Sequence, residues 1–89
     1  MELPEDTTAD LIRRLRRIEG QVRGIQTMLA ERRECADVVT QIAAAAKAME
    51  QVGFRLVASG LTYCLEHPDE AAQSGYDVDR VEKLFMKIG

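Results

Sequence analysis

Leu11, Leu15, Ile18, Val22, Ile25 and Leu29 recur at intervals of four, three, four, three and four, which lays them along one stripe of an α-helix. The spacing predicts a first helix from about Thr8 to Glu31, with Thr7 and Asp10 forming a capping-box-like pair and Asp6 a competing cap. The polar run from Glu31 to Glu34 interrupts the period and suits a short connection. A second helix is predicted from about Glu34 to Leu65, its seam reading Val39, Ile42, Ala46, Met49, Gly53, Leu56, Gly60 and Cys64. Four alanines from Ala43 to Ala46 favour it, no proline intervenes before Pro68, and Gly53 is its weakest point. His67 to Gly75 reads as a breaker region. Beyond it Asp77 is placed to cap a third, short helix carrying Val78, Val81, Leu84, Phe85 and Ile88. No strand pattern, internal repeat or low-complexity tract is visible.

The expectation is therefore an all-α fold, one domain spanning residues 1–89, because 89 residues are too few for two cores. A helix of 32 residues is about 48 Å long at 1.5 Å per residue. Three helices of these lengths do not close a monomeric bundle, so the apolar stripe of the second needs a partner along its length. A symmetry copy is the simplest partner, giving a three-helix protomer in an antiparallel four-helix-bundle homodimer.

Composition adds a location and a polarity. Hydrophobic residues make up 46% and charged residues 30% of the chain, a globular balance. With neither a signal-peptide pattern nor an apolar run long enough to span a bilayer, a cytoplasmic protein without membrane contact is expected. The net charge of −3 conceals an asymmetry. Leu11 to Arg33 holds seven arginines against Glu19 and Glu31, a local charge of +5, while the other acids lie on either side.

Two cysteines, Cys35 and Cys64, are 29 residues apart. In a reducing compartment they point to thiol chemistry or metal binding rather than a structural disulfide. Their spacing is close to eight helical turns, which puts both on one face of the second helix but separates them by roughly 43 Å along its axis. One chain cannot bring them together. An antiparallel two-fold centred between Met49 and Glu50 sets Cys35 of one subunit beside Cys64 of the other, making two equivalent sites. Cys35, in the first helical turn beside Arg32 and Arg33, is the expected nucleophile, since helix dipole and guanidinium charge favour a thiolate. Cys64, beside Tyr63, is the expected resolving thiol. The plainer alternative makes both ordinary small core residues.

The run Arg14-Leu-Arg-Arg17-Ile-Glu-Gly20-Gln-Val-Arg23-Gly24-Ile25, followed by Cys35 and Cys64, resembles the copper-sensing operon repressor (CsoR/RcnR) family over nearly the whole chain. The resemblance implies an all-helical dimer of dimers, a homotetramer that binds operator DNA without a helix-turn-helix when its effector is absent. Copper-sensing members carry Cys, His and Cys at positions matching Cys35, residue 60 and Cys64, but residue 60 is Gly60. The tyrosine that precedes the first cysteine in some of them is Glu34 here, and a glutamate often found in the third helix falls at Arg80. His67, just outside the second helix, reads as a solvent-facing residue before Pro68. Two thiols without the imidazole look like the persulfide-sensing, CstR-type branch, repressors of sulfide and sulfurtransferase genes. A thiolate would attack a sulfane sulfur of a persulfide or polysulfide, and the second thiol would resolve it into an intersubunit di- or polysulfide bridge, a cysteine redox switch needing no cofactor. The alternative effector is Cu(I), which two soft thiolates could still hold. Gly60 would leave room beside the thiols.

Arg13, Arg16, Arg17 and Arg23 face away from the apolar stripe of the first helix and Arg14 flanks it, a surface suited to phosphates. Lys47 and Arg55 on the second helix are weaker candidates. Few groups suited to reading base edges are in view, so readout of a deformable operator by shape is expected. The leading expectation is a persulfide-responsive repressor, with a Cu(I)-responsive repressor and a helical interaction module with inert cysteines behind it. No nucleophile, base and orienting-group set, phosphate loop or metal triad suggests an enzyme.

Overall fold

The computed structural model describes residues 3–88. Four helices follow one another, α1 (Glu5–Ala30), α2 (Cys35–Glu66), α3 (Pro68–Gln73) and α4 (Val78–Met86), with no strand among the described residues. The all-α expectation and the two long helices hold.

α1 begins three residues earlier than the pattern predicts. Pro4 occupies the N-cap position and no side chain caps the helix, so neither the Thr7–Asp10 box nor an Asp6 cap forms. Asp6 accepts only from the adjacent Thr7 amide, and Asp10 turns to Arg13 and Arg14. Proline suits a helix start because its missing N–H would be unpaired there anyway, while Glu5 and Asp6 meet the positive end of the dipole. The far end closes with amides of Arg32 and Arg33 donating to the carbonyls of Leu29 and Met28, with Arg32 at φ 57° in the left-handed position glycine usually takes.

α2 ends where Pro68 forces it to, since the residue before a proline is pushed out of the helical region. His67 accordingly sits at φ −134°. The segment beyond is not simply a breaker. Pro68 restarts a helix at its first position, Asp69 and Glu70 fill the first turn, and Gly75 at φ 81° ends it, its amide donating to Ala72 and that of Tyr76 to Ala71. Asp77 caps α4 as expected, its carboxylate accepting from the Arg80 amide at 2.8 Å.

α1 and α2 lie antiparallel, and α3 and α4 fold back on the C-terminal half of α2. The smallest dimension is 14 Å against a length of 54 Å, little more than one helix diameter. The radius of gyration is 16.9 Å, against about 12 Å for a closed domain of this length. The subunit is one layer deep, and its core is in two pieces. Leu11, Ile18 and Val52 form one, with Leu3, Leu15 and Ala48; Cys64, Ala71 and Val81 form the other, with Val57, Tyr63 and Tyr76.

The seam of α2 is not where α1 packs. Val38, Ala45 and Val52 are the buried α2 residues on the α1 side, whereas Val39, Ile42, Met49 and Leu56 are exposed. The sequence stripe mixes two faces: over the C-terminal half it runs under α4, where Gly53 allows Ile88 to approach so closely that a Cβ would stand 3.0 Å from it, and over the N-terminal half it is bare. Gly53 is thus a contact point of α2 and α4 rather than merely a weak spot.

Candidate functional site

α2 is one unbroken helix from Cys35 to Glu66, so its two cysteines stand at opposite ends, roughly 43 Å apart along the axis and only about 20° apart around it. Both are free thiols. Cys35 is exposed at the first residue of the helix, with Glu34 in the cap position making no side-chain bond. Cys64 is 4% exposed, so sharing a helix face does not give the two thiols one environment. α3 and α4 cover it: Ala71 and Val81 pack on it, and its Sγ donates to the Tyr76 carbonyl at 3.8 Å, a weak sulfur hydrogen bond.

Tyr63, half-buried, donates its hydroxyl to Glu70 at 3.3 Å, and burial together with that carboxylate raises its pKa above the ordinary 10.0. Its ring lies 5.2 Å from that of the exposed His67. Gly60 is buried and lines a cavity of about 340 Å³ with Val57, Tyr76, Val81, Leu84 and Ile88. That cavity is mostly apolar and neither Cys35 nor Cys64 lines it, so the room at Gly60 is not the room beside the thiols that was expected. Arg80 donates to the Gly75 carbonyl at 2.8 Å and lies over the Tyr76 ring at 4.1 Å. Among the described residues no group of three or more His, Cys, Asp or Glu side chains could hold a metal ion. Within one subunit the two thiols stand too far apart to share a ligand.

The arginines of α1 are not equivalent. Arg13 and Arg14 both bind the Asp10 carboxylate, Arg14 Nε at 3.0 Å. The Arg14 hydrogen bond outweighs the effect of burial and, with the nearby charges of Arg14, Arg13 and Arg55, holds Asp10 below its ordinary 3.8. Arg23 pairs with Glu19 at 3.7 Å. Arg16 and Arg17 stand exposed on the outer face. Arg55 lines a groove with Asp10, Thr7, Ser59 and Tyr63, between α1 and α2 rather than on the arginine face. Lys47, two residues from the buried Ala45 and so about 200° around α2, points away from α1.

Two further residues belong to that outer face. Gly20 and Gly24, one turn apart, lie between the arginines, and a Cβ at either would meet nothing within 4 Å. A glycine inside an exposed helix costs about 1 kcal/mol relative to alanine, and no contact within the subunit accounts for two of them. Their spacing of four among Arg16, Arg17 and Arg23 is the signal that marks them.

No described helix is long and apolar enough to cross a membrane. A one-layer helical hairpin with an arginine face on one side and an uncovered apolar face on the other is built like a subunit of a helical regulator. The chain belongs to the metal-sensitive transcriptional repressor family, whose pattern it matches over residues 7–87. It is 38% identical over 75 residues, 84% of this chain and 74% of the other, to the copper-sensing transcriptional repressor CsoR of Bacillus subtilis. It is 47% identical over 53 residues to the copper-sensing transcriptional repressor RicR of Mycobacterium tuberculosis, a match covering 60% of this chain and 55% of that protein. The crystal structure of the copper-sensing repressor CsoR with Cu(I) from Geobacillus thermodenitrificans NG80-2 superposes with a TM-score of 0.76 at 32% identity, over 99% of this chain and 88% of that one.

Proposed function

We propose that this chain is an operator-binding repressor of the cytoplasm that acts as a homo-oligomer and releases DNA when an effector joins Cys35 to Cys64 of the partner subunit. The effector put first is Cu(I), and this corrects the order of expectations from sequence. The relatives and the structural neighbour are copper-sensing proteins, and a pair of thiolates is the donor type a soft monovalent ion prefers. The carrying observation is the placement of two free thiols on one face at the two ends of α2, so that an antiparallel pair of subunits has two places to join them.

The residues divide the work. Arg16 and Arg17, with Arg13, Arg14 and Arg23 beside them, supply charge for phosphates, and Gly20 and Gly24 let a helix backbone approach another surface closely. Cys35 and Cys64 hold the effector, and joining the two subunits through α2 favours an arrangement in which the arginine faces match DNA poorly. An effector shifts the equilibrium only by its preference for that arrangement.

One observation favours a second reading, release by persulfide. Gly60 brings no nitrogen donor and lines a mostly apolar cavity. In this chemistry the Cys35 thiolate takes the outer sulfur of a persulfide, giving a Cys35 persulfide and a free thiolate. Cys64 of the partner subunit then attacks the inner sulfur, forming the intersubunit disulfide and expelling hydrosulfide.

The test is anaerobic DNA binding, using a double-stranded fragment selected by the protein from a random pool. Release by Cu(I) in competition with a chelator, lost in both Cys35→Ala and Cys64→Ala, supports the first reading. Release by polysulfide with crosslinked dimers, carrying no added sulfur for a disulfide and about 32 Da more for each further sulfur in a longer bridge, supports the second. Indifference to both leaves a helical interaction module with inert cysteines. Arg16→Ala and Arg17→Ala should each lower the salt slope of DNA binding by about one. Gly20→Ala should strengthen α1 by about 1 kcal/mol while weakening DNA binding.

A further inference from the structure

Cys64 is covered by its own chain, and Arg80 fastens one side of the cover. The connection between α3 and α4, residues 74–77, closes over the thiol because Gly75 turns the backbone left-handed at φ 81° and the Tyr76 amide returns to the Ala71 carbonyl at 2.8 Å. That turn delivers the Tyr76 carbonyl to Cys64 Sγ at 3.8 Å. Arg80, from the first turn of α4, reaches back over the turn, donating to the Gly75 carbonyl at 2.8 Å and stacking on the Tyr76 ring at 4.1 Å. Its backbone amide is held by Asp77 at 2.8 Å. One side chain thus grips both residues of the turn that shields the thiol.

We propose that residues 74–77 form a latch over Cys64 and that Arg80 is the positioning residue that keeps it shut. Cys35, bare at the start of α2, engages first, and Cys64 joins only after the latch lifts, so the two thiols of a site act in a fixed order. That order rests on the reading of both as sensor thiols; the latch itself does not. Lifting the turn takes the Tyr76 carbonyl off Cys64 Sγ and opens that side of the cover, while Ala71 and Val81 stay packed on the thiol and Phe85 and Ile88 hold the chain on α2. Cation–π stacking at an exposed site is modest, and an exposed hydrogen bond can be exchanged for one to water, which suits a latch that must open.

The experiment needs no effector and no DNA, so its failure is separable from failure of the repressor reading. The intact two-cysteine protein is treated briefly with iodoacetamide, and alkylation at each cysteine is read by peptide mass spectrometry, Cys35 serving as the internal control. Cys64 should react at least about tenfold more slowly than Cys35, as burial of a reactive thiol requires. Arg80→Ala should raise the Cys64 rate about five- to tenfold with the Cys35 rate and the helical circular dichroism unchanged. Arg80→Lys, which keeps the charge but not the planar fork, should recover only part of the protection. Gly75→Ala, whose Cβ would stand 3.1 Å from Arg80 Nη1 at a strained φ, should act in the same direction as Arg80→Ala. Equal rates at the two cysteines of the unaltered protein, an unchanged Cys64 rate in Arg80→Ala, or acceleration of both cysteines together would each overturn the latch.

Discussion

Cys35 and Cys64 lie about 20° apart around α2, yet the first stands in solvent and the second is 4% exposed. The halves of the helix that carry them differ in the same way. Along the N-terminal half Val39, Ile42 and Met49 are open, Ile42 at 48%, whereas along the C-terminal half Gly53, Gly60 and Cys64 lie under α4, whose Val81 is 3% exposed. Helical phase was the same; what differed was whether the chain came back to cover it. A face of a helix is therefore not an environment, and a chain this short covers only half of so long a helix. The bare half is the face that the proposed second copy would cover.

Substitutions that place a charge in each half test this contrast most severely. Val81→Asp should destabilise the subunit by roughly 3 kcal/mol or more, because an unpaired carboxylate would be buried. Ile42→Asp should leave the hairpin of one subunit formed but move sedimentation towards smaller species and remove the concentration dependence of the unfolding midpoint. Equal unfolding by both would abolish the distinction between covered and open halves.

The cysteines give the next effect. Cys64→Ala should cost on the order of 1 kcal/mol in chemical denaturation as a lost core contact, and Cys35→Ala no more than about 0.5 kcal/mol. The helix starts sharpen the contrast further. Asp77→Ala removes a cap bond and should cost about 1 kcal/mol, while Glu34→Ala, at a cap position without a bond, should change stability by a few tenths.

The smallest effect is a pH dependence. Asp10 is held below its ordinary value by Arg14, so folding binds its proton more weakly than the unfolded chain does. Its contribution is fully present above the ordinary carboxylate range and is lost as pH falls through the lowered value. Asp10→Asn should flatten that acid limb in urea titrations followed below pH about 4, with Arg14 and Arg13 released to the outer face.

Much of this was legible because it is local. The 4-3-4-3-4 spacing of Leu11 to Leu29 fixes a helix whatever surrounds it, Asp77 caps α4 through its own neighbour Arg80, and the arithmetic from Cys35 to Cys64 needs only a continuous helix. α3 was readable too, in Pro68 at its start and Gly75 at its end, but six residues are too few to show a hydrophobic period. The seam of α2 was misjudged because one stripe of apolar positions serves two purposes, and periodicity reports that a residue is apolar without saying what covers it.

By itself, then, the sequence determined two long helices, a charged outer face on the first and two thiols in phase on the second, all consequences of 3.6 residues per turn acting over short range. Only the tertiary structure decided that Val38, Ala45 and Val52 rather than Val39 and Ile42 meet α1, and that the two thiols differ. The first is set by packing between α1 and α2, as of Val52 on Leu11 and Ile18, and the second by where α3 and α4 land, with Ile88 on Gly53 and Val81 on Cys64.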